Sequence, residues 1–188
     1  HVWLIVASLI LAAIGYMVET FRASEVAAER AILAPARLLE GTTVKLLPSS
    51  RRLVEALPIV WASSVSRVSS QRHERLPAQA VGGVPDVWPD RIDARAAWAP
   101  QWQDAGYETL EVGFSPATIA SGVVVFESLN PGAIHRLSIE VGDETLALWE
   151  RQGPTPVAGD NQVMAFQLAE PRIIRRLTVT LDTRLVEG

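Results

Sequence analysis

The 188-residue chain contains no cysteine. A disulfide staple, a thiolate nucleophile and a cysteine metal site are therefore excluded. Histidine is scarce, at three residues, His1, His73 and His135. No HExxH, GxSxG, P-loop or GxGxxG spacing occurs, so the common hydrolase, metalloprotease and nucleotide-binding signatures are missing. The serines Ser63, Ser64, Ser69 and Ser70 have no His–Asp pairing suggested by the sequence. These absences point away from catalysis and from a bound metal or cofactor. A calcium site from Asp86, Asp90 and Asp93 lacks the spacing of a calcium loop.

The net charge of −4 conceals an asymmetry. Arg37 to Arg75 holds seven Lys/Arg and three Asp/Glu, whereas Leu76 to Gly188 holds eight Arg and fifteen Asp/Glu. The acidic distal part argues against a nucleic-acid partner. The basic stretch suits anionic lipid headgroups.

Val2 to Val18 (VWLIVASLILAAIGYMV) carries no charge. As a helix it spans about 25 Å, slightly short of a hydrocarbon core of ~30 Å. The chain opens on His1 rather than Met, so further sequence is expected before it. Trp3 and Tyr16 lie near opposite ends, as interfacial anchors do. A signal-peptide core is the rival reading, but the apolar run continues into Glu19, Phe21 and Arg22 without an obvious cleavage site. Residues 1–18 are read as a transmembrane helix in the lipid bilayer. Ser8, Ala12 and Gly15 line one face and could pack against another membrane helix, although such small residues are common in any membrane span. Residues 19–40 continue with helix formers and read as a helical stalk. Pro35 should kink or end it. Residues 41–57 read as a linker, broken at Pro48-Ser49-Ser50, with Ser50 a cap for a short helix over 51–57.

From Pro58 the period changes. Leu110, Val112 and Phe114 alternate, as do Leu137, Ile139 and Val141, Leu146 and Leu148, Val163 and Ala165, and Leu177, Val179 and Leu181. Ala120–Glu127 is a nearly continuous apolar run, the pattern of a strand covered on both faces. Many short strands without a long helical period predict a β-sandwich or jelly roll over 58–188. Trp88, Trp98 and Trp149 are expected in the core or at the sandwich ends. His73 and His135 are expected on solvated surfaces.

The ordered set Gly83-Val84-Pro85-Asp86, Ala97-Trp98-Ala99-Pro100, Glu127-Ser128-Leu129-Asn130-Pro131-Gly132, Leu148-Trp149-Glu150 and Leu181-Asp182-Thr183 resembles bacterial discoidin-like (galactose-binding-like) domains. The resemblance covers about Pro58 to Leu185. It implies a mainly β, discoidin-like jelly-roll sandwich, here preceded by a transmembrane helix and a helical stalk. The cysteine pair of many eukaryotic discoidin domains is absent. Loops at one end of the sandwich carry ligands in such domains. Asp86, Trp88, Asp90 and Trp102 are the residues here that could hold a glycan. Buried tryptophans and a turn-capping Asp86 are the competing account of the same residues.

Two functions follow as expectations. One is a non-catalytic, single-pass accessory or scaffold subunit docked on a larger integral membrane complex, of respiratory or photosynthetic type. The other is a membrane-anchored carbohydrate-binding module. A bacterial inner-membrane location with the C-terminal domain in the periplasm fits both, although charge counting leaves the orientation open.

Overall fold

The computed structural model describes residues 36–47, 52, 58–72, 78–83, 97–128, 131–153 and 161–186. Two compact units, His1–Pro35 and Ala36–Gly188, divide the chain. The described residues lie in the second unit. The first, with the predicted membrane helix and the Ser8, Ala12 and Gly15 strip, lies outside them. Among the described residues no helix is long and apolar enough to cross a membrane.

The described fold is mainly β. Seven strands form one sheet: β1 (Arg37–Leu38), β2 (Thr43–Leu47), β3 (Ser64–Val68), β4 (Tyr107–Ser128), β5 (Ile134–Val141), β6 (Glu144–Glu150) and β7 (Asn161–Asp182). Their order is β1-β6-β5-β7-β4-β3, and β2 pairs separately with β7. Short 3₁₀ turns cover Ala78–Val81 and Thr183–Leu185.

The two 22-residue strands organise everything else. β4 and β7 run antiparallel from Tyr107↔Asp182 to Ser128↔Asn161. The pairing is interrupted between Gly113 and Thr118 and between Ala120 and Gly122. On one side of these breaks the pair is flanked by β3, β5, β6 and β1, making the wider half of the sheet. On the other side β7 is flanked by β2, making the narrower half. β-Bulges bend strands and increase their twist. Here they let the narrow half turn back over the wide one. The rings of Trp149 on β6 and Phe166 on the narrow half of β7 lie 5.5 Å apart.

The core between the halves follows from side-chain alternation. On the narrow half Val44, Phe166 and Val123 stand opposite one another across three strands. All three belong to the core, with Met164 and Leu168 on the same face of β7. The wide half supplies Leu110, Val112, Leu137, Ile139, Leu148 and Leu177. Burying each such side chain contributes roughly 1.5–3 kcal/mol. Trp98 and Trp149 pack against this cluster, as the sequence predicts.

The stalk and linker are corrected at their junction. Residues 37–38 are a strand parallel to β6, and residues 43–47 a strand antiparallel to β7, rather than helix or linker. Val44 and Val163 have β-branched side chains that suit a pleated surface. Val163, between β2 and β4, is fully buried. The short helix over 51–57 lies outside the described residues except for Arg52, which is helical.

Candidate functional site

A long apolar cleft runs beside the narrow half of β4. Over Thr118–Val125 that strand is paired with β7, and among the described residues no strand pairs with its other side. The cleft has a volume of about 980 Å³. Trp61, Trp98, Phe114 and Val125 are among the residues lining it, and Ile119 and Trp102 stand at its exposed rim.

Local interactions hold these aromatics. Trp61 packs against Phe126 with centroids 5.7 Å apart. The Trp98 indole Nε1–H donates to the Ser70 carbonyl at 2.9 Å. Beside it the Gln101 N–H donates to Ser70 Oγ at 3.0 Å, and the Arg72 N–H to the Ala99 carbonyl at 2.9 Å. Thus 70–72 and 98–101 are zipped together. Asp104 and Gly106 then turn the chain into β4 at positive φ, 54° and 99°. Trp102 projects from the intervening turn and keeps 64% of its surface exposed. Val60 and Ile119, also lining the cleft, are 57% and 72% exposed. Large apolar side chains exposed together mark interaction surfaces on soluble domains.

At one end the cleft meets a polar knot. Glu127 accepts the Gly132 N–H at 3.0 Å and the Gln162 side-chain amide at 2.9 Å. Arg151 donates from Nη2 to the Gly132 carbonyl and from Nε to the Ile134 carbonyl at 3.1 Å. One carboxylate and one guanidinium thus clamp the turn entering β5, where Gly132 adopts φ 109°. Burial pushes the Glu127 carboxyl above its usual range, opposed by these hydrogen bonds and by Arg151. The sequence shows Glu127 and Asn130-Pro131-Gly132 as one motif. Arg151, nineteen residues beyond Gly132, carries no sequence signal that joins it to them.

A second polar group covers the outer face of the wide half. His135 sits under the Tyr107 ring, with centroids 4.9 Å apart. Its Nε2 is 3.8 Å from the Glu150 carboxylate. Its side chain is only 16% exposed, so the expected solvated histidine is corrected: Tyr107 covers it. Burial lowers its pKa, with Glu150 opposing the shift. The Arg184 guanidinium lies over the Tyr107 ring, 4.9 Å from its centroid, and grips Asp182 through Nε at 2.8 Å. Burial raises the Asp182 carboxyl, but the hydrogen bonds from Arg184 outweigh it and hold it below its usual value.

Of the residues that the sequence nominates for a glycan, Trp102 is at the cleft rim. Asp86, Trp88 and Asp90 lie outside the described residues. Among the described residues no three His, Asp or Glu side chains are grouped so as to hold a metal ion.

Comparison with protein-family models, with curated proteins and with solved structures gave no match. The functional reading therefore rests on the cleft and its surroundings.

Proposed function

We propose that this chain is a non-catalytic, membrane-anchored accessory or scaffold subunit whose β domain docks an apolar segment of a larger integral membrane complex. In this reading the two halves of the sheet form a discoidin-like jelly-roll sandwich. Residues 1–18 are its membrane helix, with Ser8, Ala12 and Gly15 facing a neighbouring span, and the β domain lies in the periplasm of a bacterial cell. The carrying observation is the apolar cleft with Trp102, Val60 and Ile119 exposed on it. Exposed aromatic anchors beside a concave apolar surface are where binding energy concentrates in protein interfaces.

The test is purification of the whole chain in mild detergent through a tag, followed by native gel and mass spectrometry. A defined membrane complex in fixed stoichiometry is expected. It should be lost when Trp102 becomes Ala or Ile119 becomes Asp. Hot-spot aromatics contribute at least about 2 kcal/mol each, roughly 30-fold in affinity. Recovery as a lone monomer, or a complex indifferent to both variants, overturns the reading. The second reading, a glycan-binding module, is favoured specifically by the exposure of Trp102, whose ring can stack on a sugar. Glycan arrays with Trp102→Ala as control decide it.

A further inference from the structure

A second concavity, of about 430 Å³, lies where β4 bulges away from β7. β4 pairs Gly113 with Arg176 and then Thr118 with Ile174. Phe114–Ala117 therefore stand opposite Arg175 alone. Ser64 of β3 is opposite Gly113 on the other side, so Ser64, Gly113 and Arg176 form one row across three strands. Glycine leaves the middle of that row open. A Cβ there would sit 2.6 Å from Ser64 Oγ. The walls are Ser64, Ser66, Phe114, Ser115, Arg175 and Arg176.

The polar groups divide into committed and uncommitted ones. Arg176 is shared between Glu140 at 3.3 Å and Glu111 at 4.0 Å. The Ser66 hydroxyl donates to the Glu111 carboxylate. Arg175 is exposed and, among the described residues, its guanidinium has no acidic partner. The hydroxyls of Ser64 and Ser115 likewise have no hydrogen bond there. One uncompensated guanidinium, two uncommitted hydroxyls and one half-buried aromatic ring thus face a cavity floored by glycine.

From this juxtaposition we propose that the bulge pocket binds the carboxylate of an acidic sugar, a uronate. Arg175 would pair with the carboxylate, for which its planar fork is suited. Ser64 and Ser115 can both donate to and accept from sugar hydroxyls. Phe114 offers an apolar surface to the C–H face of the ring. The charge of the ligand is set by the neighbours. Glu111 and Glu140 offset Arg176, leaving one cationic charge for the ligand, so a second negative charge on the sugar unit seated in the pocket would be repelled. A singly charged carboxylate fits and a phosphate dianion does not. Phe114 also lines the docking cleft, but Ser64, Ser115 and Arg175 do not, and none of the exposed residues of the cleft rim is used.

The test uses the full chain in detergent micelles and isothermal titration with trigalacturonate. Neutral trigalactose, inorganic phosphate and a glutamate-rich peptide serve as comparison probes. Saturable binding of trigalacturonate is expected, at least about tenfold weaker in Arg175→Gln, since losing a charge-assisted pair costs about one decade or more. Ser64→Ala with Ser115→Ala should weaken it in the same direction, and it provides a second variant should Arg175→Gln fail to fold. No saturable binding, affinity unchanged in both variants, or equal or tighter binding of trigalactose, phosphate or the peptide overturns the proposal.

Discussion

At the scale of single residues, Glu127 and His135 should set opposing responses to pH. Its carboxyl is raised above 4.5 in the folded protein, chiefly by burial. The folded state therefore holds a proton more tightly than the unfolded chain. Its contribution to stability is full below about pH 4.5 and is lost as pH rises through the folded pKa. His135 acts oppositely. Its pKa is lowered from 6.5 by burial, so its contribution is full above that value and is lost as pH falls through the folded pKa. Urea denaturation of the wild type between pH 5 and 7 should show these slopes partly offsetting. In Glu127→Gln the offset disappears, and stability should climb more steeply with pH. An identical slope in the two proteins would show that Glu127 does not titrate differently on folding. Glu127→Ala removes the acceptor of the Gly132 N–H and should cost about 1–3 kcal/mol below about pH 4.5 and less as pH rises, read from the same denaturation. The turn motif is legible in the sequence, because Pro and Gly announce it. The clamp is not, because Arg151 and Glu127 are brought together only through the pairing of β6 with β5, β5 with β7 and β7 with β4.

At the scale of elements, alternation locates the strands but not their continuity. The sequence presents Thr109–Phe114 and Ala120–Glu127 as separate strands, and likewise Val163–Ala165 and Leu177–Leu181. Each pair is one 22-residue strand. Pro116 cannot donate to a ladder, and it lies in the bulge, where no ladder bond is required. The second break depends on Gly122. A methyl group at that position would lie 2.7 Å from the Phe166 carbonyl oxygen, a rigid backbone atom at the centre of the narrow half. Gly122→Ala should therefore destabilise by about 1–3 kcal/mol, the usual cost of forced overpacking. Thermal unfolding by circular dichroism checks this. The control is Gly153→Ala, which meets nothing within 4 Å and should leave the midpoint almost unchanged.

At the scale of the molecule, the boundary of the β unit is the point on which sequence and structure differ most. The change of hydrophobic period places its start at Pro58, because β3 is the first strand followed by a sustained alternating pattern. Residues 37–38 and 43–47 give no such signal. β1 has two residues, and β2 reads TVKLL, with its face toward the core legible only once it is paired with β7. Contacts within the fold instead begin the unit at Ala36. β2 covers one flank of β7 from Val163 to Gln167, a segment that includes the fully buried Val163, Met164 and Phe166. A chain beginning at Ala36 should fold, with cooperative thermal unfolding and a β-type far-ultraviolet spectrum. A chain beginning at Pro58 lacks β2 and leaves that flank of β7 as a bare apolar strand edge, the arrangement that promotes strand-to-strand aggregation. It should be recovered mainly as aggregate, or unfold at a midpoint lower by 10 °C or more (roughly 2 kcal/mol or more in a domain of this size). Equal midpoints for the two chains would mean that β2 is dispensable and that the β unit begins where the period changes.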